Sequence, residues 1–372
     1  MSSSVRVLVV DDSALMRKLI PQILQSDSSI EVVGTAMDGN FGLRKIEELK
    51  PQVVTLDLEM PGLGGIDTLK QIMRRHDVPV IVVSSHSTQG ASVTLRALSL
   101  GAFDFVAKPN DGSARMHEIA QELISKIKAA AQSGGVRLRP FMETQPQGRK
   151  ALLDIKKPPT KIVAIGISTG GPQALQYMLS QLPADFPASI VVVQHMPEGF
   201  TDMFARRLDE ICPIGVKEAQ SGDLLLAGRV LICPGSRHLK VKRLPLGNVA
   251  VLSDEPRVNG HRPSADVLFR SLAEEFRSEG IAVLMTGMGE DGAQGMGVVN
   301  AAGGLTIAQD EQSCVVYGMP RAAIERGFAL RVVPLDALAN TLQVQCMPAS
   351  KAGDSGKAGE HSKAASAGEY PV

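Results

Sequence analysis

Three residues far apart in the sequence have the types and settings that acyl transfer requires. Ser168 stands in Gly166-Ile167-Ser168-Thr169-Gly170-Gly171-Pro172, His195 in Gln194-His195-Met196-Pro197, and Asp291 in Thr286-Gly287-Met288-Gly289-Glu290-Asp291-Gly292. A serine hydroxyl is a poor nucleophile near neutral pH, so a histidine must accept its proton and a buried carboxylate must fix the tautomer of that histidine. The Thr286 to Gly292 loop can also bring backbone N–H groups toward a reacting carbonyl. That makes the main chain of Met288 a candidate oxyanion donor, worth on the order of 3 kcal/mol of barrier.

Each residue has a quieter use. The glycines around Ser168 also suit an anion cradle or a plain turn. His195 can be a strand-end histidine with its hydrogen bonds satisfied, and Asp291 a turn residue between glycines. His238 and His261 are rivals for the base. With Arg262 beside it, His261 has its imidazolium disfavoured, which assigns it to lining the pocket or capping a helix.

A second constellation lies in the first half. Asp11, Asp12, Asp57, Ser84 and Lys108 each follow an apolar run. Carboxylates brought together repel one another and call for a divalent cation, and hard oxygen ligands that leave room for water suit Mg²⁺. A carboxylate beside that ion can accept a phosphoryl group as an acyl phosphate, with Lys108 and the Ser84 hydroxyl free to meet the new oxygens.

Positioning these groups falls to alternating strands and helices. Val5 to Val10, Ile30 to Gly34, Val53 to Leu56, Val80 to Val83 and Phe103 to Ala107 read as strands. Residues at helical spacing follow most of them, which predicts a doubly wound parallel sheet. In the second half, Lys161 to Ile165, Ser189 to Val193, Arg229 to Cys233, Val249 to Leu252, Ile281 to Met285, Leu305 to Ala308 and Phe328 to Val332 predict another. Functional groups in such sheets gather beyond the carboxyl ends of the strands. Ser168, His195 and Asp291 would therefore meet if their strands run parallel.

Lys plus Arg and Asp plus Glu balance at 39 each, aromatic residues are 3% and Trp is absent, so nothing favours a nucleic-acid or membrane surface. Cys212, Cys233, Cys314 and Cys346 lack zinc-site spacing and read as reduced thiols. The stretch from Met1 enters a strand without an apolar signal core, and no apolar run approaches the roughly 20 residues that span a bilayer. The expected location is the cytoplasm. The glycines around Ser168 depart from G-x-G-x-x-G and no Lys-Ser/Thr pair follows, against a nucleotide-binding module; the absence of a helix-turn-helix pattern argues against a DNA-binding output. Expected boundaries are a first domain at 1–131, a basic Pro- and Gln-containing linker at 132–159, a second domain at 160–347 and a disordered tail at 348–372.

The two motif sets resemble known families. Asp11-Asp12, Asp57 with Met60-Pro61-Gly62, Ser84 and Lys108-Pro109 resemble, in order, the response-regulator receiver domain. That resemblance implies Asp57 as phosphoacceptor, Asp11, Asp12 and Asp57 around Mg²⁺, Lys108 on the phosphoryl group, and Ser84 with Phe105 as a switch pair. The chain from about 160 to 347, with His261-Arg262-Pro263-Ser264 added to the three motifs above, resembles the catalytic domain of chemotaxis-type protein-glutamate methylesterases and glutamine deamidases. It implies Ser168 as nucleophile, His195 as base and Asp291 as orienting acid, with Thr169, Met288 and His261 at the site and no cofactor in the catalytic half. Ala265 stands where that family commonly has Val, which would alter local packing and leave the triad intact. Implied partners are methyl-accepting chemoreceptors as substrate and a sensor histidine kinase as phosphodonor, the chain itself acting as a monomer.

Overall fold

The computed structural model describes residues 4–85, 87–108, 119–133 and 157–347. The predicted tail, and residues 134–156 of the predicted linker, lie outside the described residues.

In the first half, β1 (Val5–Val10), β2 (Ile30–Ala36), β3 (Val53–Asp57), β4 (Val80–Ser84) and β5 (Asp104–Ala107) form a five-stranded sheet in the order β2-β1-β3-β4-β5. Every pairing in it is parallel. The helices are α1 (Met16–Leu24), α2 (Gly39–Leu49), α3 (Gly65–Arg75), α4 (Thr88–Ser99) and α5 (Ala120–Gln132). β3 and β4 are buried along their whole length, as expected of strands covered on both faces. Helix α3 was not anticipated from the sequence. Its apolar positions Ile66, Leu69, Ile72 and Met73 fall on one helical face, and Leu69 and Ile72 are fully buried.

In the second half, β6 (Ile162–Ile167), β7 (Ser189–Gln194), β8 (Gly215–Glu218) and β9 (Arg229–Ile232) precede the hairpin strands β10 (His238–Leu244) and β11 (Gly247–Ser253). β12 (Gly280–Leu284), β13 (Leu305–Gln309) and β14 (Arg331–Val333) follow. The main sheet has seven strands in the order β14-β13-β12-β6-β7-β9-β8. Its helices are α6 (Gly171–Ser180), α7 (Phe200–Ile211), α8 (Ala265–Phe276), α9 (Ala293–Ala301), α10 (Met319–Glu325) and α11 (Leu335–Cys346).

One expectation is corrected here. Val249 to Leu252 does not complete the main sheet; it belongs to the separate antiparallel pair β10-β11. The reason is patterning. Leu239 and Val241 are buried while Lys240 and Lys242 are not, so β10 has one wet face and cannot sit inside a sheet covered on both sides. Ser271 of α8 donates no bond to it but accepts the Val241 N–H at 3.1 Å, joining hairpin to helix.

The chain leaves β6 on one side toward β7 and later returns on the other side at β12. Ligands in open α/β sheets bind outside the carboxyl ends at such a reversal. Parallel register sets Leu284 against Gly166, and Ile167 against Gln194, so the three loops that follow leave the sheet at one level.

Candidate active site

Ser168, His195 and Asp291 follow β6, β7 and β12, three neighbouring strands. Gly170, with φ of 73°, occupies the left-handed region and turns the chain from the strand end into α6. Ser168 N–H donates to Thr286 O at 3.0 Å, and Gln194 Nε2 donates to Ser168 O at 3.0 Å and to His195 O at 3.2 Å. The ends of all three strands are thus tied together around the serine. Gly287 lies directly over it: a Cβ there would come within 2.8 Å of Ser168 Cβ, a distance that no side chain tolerates.

His195 Nε2 and Asp291 Oδ2 are 2.9 Å apart. Asp291 is 1% exposed. Burial works against its ionisation, but the hydrogen bonds from His195, Ser264 and the Ala265 N–H outweigh it and hold the carboxyl below its ordinary range. Nε2–H is therefore the donor to the carboxylate, and the lone pair of the ring is on Nδ1. That atom is buried and has no hydrogen-bond partner among the described residues. The common serine-hydrolase arrangement places the carboxylate on the other nitrogen.

His261 stacks on the His195 ring, with centroids 4.0 Å apart and planes 4° from parallel. Burial, and then the neighbouring His195, lower its pKa to about 4, so it is neutral at ordinary pH. The lowered pKa agrees in direction with the expectation from the sequence, with burial as the leading cause and Arg257 among the weaker ones. The other rival, His238, is fully buried and spends Nε2 on Pro256 O at 3.0 Å. Met288 lies in the loop that crosses Ser168, and its N–H makes no hydrogen bond among the described residues.

Thr169, next to the serine, also faces the first domain. Its carbonyl accepts the Thr286 hydroxyl at 3.0 Å, and its side chain meets the Asp104 carboxyl of the first domain, helping that buried acid to ionise against its burial.

In the first domain, Asp11, Asp12 and Asp57 present carboxylate oxygens all within 4.8 Å of one another. Lys108 Nζ reaches Asp57 at 2.7 Å and Asp11 at 3.1 Å. Burial raises the Asp11 pKa despite Lys108. Ser84 is buried and Phe105 is 4% exposed.

Comparison with known proteins gives the domains their families. The CheB methylesterase model matches residues 163–342 and the response regulator receiver domain model residues 7–121. A protein of Koribacter versatilis named protein-glutamate methylesterase/protein-glutamine glutaminase 2 is 61% identical over 355 residues, covering 92% of this chain and 97% of its own. The chain belongs to the CheB methylesterase family. A Symbiobacterium thermophilum relative is 47% identical, covering 91% of this chain and 96% of its own. The crystal structure of the Thermotoga maritima CheB methylesterase catalytic domain shares 44% identity over 50% of this chain and 98% of that one, with a TM-score of 0.49. As in that family, this chain couples a receiver to a methylesterase domain.

The receiver packs against the edge of the second domain that carries Ser168. Phe105 stacks on Phe200 at the start of α7, 4.8 Å between centroids and 20° between planes. Gln173 Nε2, in the first turn of α6, donates to Leu98 O at 2.6 Å and Ala102 O at 3.0 Å, at the corner between α4 and β5. Val315 joins the apolar cluster containing Leu123 and Ile127 of α5 and also crowds Gly170. Glu122 of α5 contributes to the field at His261. The residues of this interface carry no local pattern in the sequence, since Phe105 and Phe200 are 95 positions apart (200 less 105) and Leu123 and Val315 are 192 apart (315 less 123).

Proposed function

We propose that this chain is a phosphorylation-controlled serine hydrolase that removes methyl groups from glutamate methyl esters, and deamidates glutamines, on the cytoplasmic helices of chemoreceptors. The observation that carries this reading is the His195 ring: one nitrogen is fixed by a buried ionised carboxylate and the other has no hydrogen-bond partner among the described residues. Ser168 Oγ attacks the side-chain carbonyl carbon while His195 Nδ1 accepts its proton. The Met288 N–H stabilises the oxyanion. The proton passes from Nδ1 to the departing methoxide, methanol leaves, and water attacks the acyl-enzyme by the reverse sequence to give glutamate. A glutamine follows the same route with ammonia leaving. The names of the relatives support the protein-glutamate ester and protein-glutamine chemistry, and the family resemblance supports the chemoreceptor as its carrier.

The receiver controls access. Asp57 is the phosphoacceptor, and Asp11, Asp12 and Asp57 fit a Mg²⁺ ion, being hard oxygen donors in close company; the ion supplies charge neutralisation for the incoming phosphoryl group. Lys108 holds the phosphoryl oxygens, and Ser84 with Phe105 carries the change toward the interface. The stack on Phe200, the Gln173 bonds and the Asp104 contact with Thr169 place the receiver beside the serine loop, where a bulky helical substrate must dock. Phosphorylation by a sensor histidine kinase loosens this packing, a shift that needs only a few kcal/mol of differential stability. The compartment consistent with such partners is the cytoplasm, and among the described residues no helix is long and apolar enough to cross a membrane.

The decisive test is methanol release from methylated receptor membranes. Ser168→Ala abolishes it while phosphorylation of Asp57 proceeds as before; turnover near that of the parent would refute the assignment.

A further inference from the structure

The way Asp291 is held assigns a role to Ser264 that the reaction scheme above does not use. Ser264 occupies the N-cap position of α8, yet its hydroxyl caps nothing in its own helix. A serine at that position ordinarily accepts a hydrogen bond from an N–H of the first turn. Here the carboxylate of Asp291 takes that duty, accepting the Ala265 N–H at 2.7 Å on Oδ2 and the Asp266 N–H at 3.4 Å on Oδ1. The Ser264 hydroxyl is thereby released to act as a donor. It gives its proton to Asp291 Oδ1 at 2.6 Å, in full burial.

The arrangement is reciprocal. Asp291 stands two residues before α9 and caps α8; Asp266, in the first turn of α8, accepts the Gly295 N–H of α9 at 2.6 Å. Asn259 Nδ2 fixes the second Asp266 oxygen at 2.9 Å. Each helix N-terminus therefore carries an acid from the other helix, where the dipole favours negative charge. Asp291 cannot slide, but one freedom remains, rotation of its carboxylate about the Cβ–Cγ bond. Among the described residues the only close donor on Oδ1 is Ser264, since the Asp266 N–H is at the limit of a hydrogen bond. Together with the Ala265 N–H on Oδ2, that contact sets the plane of the carboxylate and so the edge that Oδ2 offers to His195.

We propose that Ser264 is a positioning residue of this site, holding Asp291 in the rotation that aligns the His195 ring with Ser168. The proposal rests on the triad reading above. Without the hydroxyl, Oδ1 keeps only the weak N–H, the carboxylate can turn about its Oδ2 bonds to Ala265 and His195, and its charge is less spread over donors. The imidazolium then becomes easier to form and the base is less well aimed.

The test uses the full-length chain phosphorylated with acetyl phosphate and methylated receptor membranes as substrate, comparing parent, Ser264→Ala and Ser168→Ala. Ser264→Ala is expected to lower kcat about tenfold with KM within about twofold, and to move the acid limb of the pH profile of kcat/KM upward by about half a unit. Extent of Asp57 phosphorylation and the unfolding midpoint report on folding. Should Ser264→Ala fail to fold, Ser264→Cys, with similar volume and a weaker donor, gives the same displacement in smaller measure. A kcat and acid limb equal to those of the parent overturn the proposal, as does a loss of kcat with the limb unmoved, which would mark a purely structural role. An active Ser168→Ala overturns the triad reading itself; an inactive Ser168→Ala beside an unaltered Ser264→Ala overturns only the positioning role.

Discussion

The two halves of the molecule place acids beyond the ends of parallel strands and then treat the charge in opposite ways. In the receiver, Lys108 bridges Asp11 and Asp57 while the third acid of the cluster, Asp12, is exposed, and burial raises the Asp11 pKa. In the catalytic half, Asp291 is met by a hydroxyl, two N–H groups at a helix N-terminus and an imidazole, and its pKa falls. Uncompensated charge makes a site that waits for a cation and a phosphoryl group. Compensated charge makes a rigid support, and its effect is spent on the ring beside it.

Substitutions separate the two cases. The largest expected effect is at the compensated acid. Asp291→Asn keeps the size but loses the charge and presents an amide to Nε2, and methanol release should fall by roughly a thousandfold or more. An effect below tenfold would mean that the acid supports the fold and not the base. In the receiver, Asp57→Asn should leave activity without a phosphodonor unchanged and remove the whole increase that acetyl phosphate produces. Stimulation persisting in that variant would move the phosphoacceptor elsewhere.

The contact between the halves gives a smaller effect. Gln173→Ala deletes two hydrogen bonds to the corner between α4 and β5, each worth about 1 kcal/mol. Unphosphorylated activity should rise several-fold while fully phosphorylated activity stays the same. A drop in both would show that Gln173 supports the serine loop and not the closed state.

The smallest effect concerns stability against pH. His261 has a folded pKa of about 4 against an ordinary value of 6.5, so the unfolded chain binds more protons between those limits. Stability is lost as pH falls from 6.5 toward 4, and this contribution is complete above 6.5. In His261→Asn the slope of unfolding free energy against pH should be shallower across that window, measured by urea denaturation. An identical slope would mean that the ring protonates without penalty.

Much of this was readable in the sequence, for a physical reason. Strands buried on both faces, such as Val80 to Val83 and Ser189 to Val193, write themselves as unbroken β-branched runs, and a parallel sheet gathers whatever follows them. Asp57, Ser168, His195 and Asp291 were visible on that basis. Helix α3 and the hairpin β10-β11 were harder, since their apolar residues are spaced among charges. Ser264 entered only as the last residue of the His261-Arg262-Pro263-Ser264 motif, and its exchange of caps with Asp266 and Asp291 was not legible, because a cap exchanged between two helices has no signature in either one. The Phe105–Phe200 stack and the Gln173 bonds depend on how two finished domains meet.

The account stands on an ester of Ser168. Rapid-quench mass spectrometry of the full-length chain mixed with a methyl-esterified receptor-helix peptide measures it directly. The expected result is a transient acyl adduct on the fragment containing Ser168, formed as methanol appears and absent in His195→Ala. Methanol release at the same rate with no adduct on that fragment, or with the adduct on another residue, would contradict it.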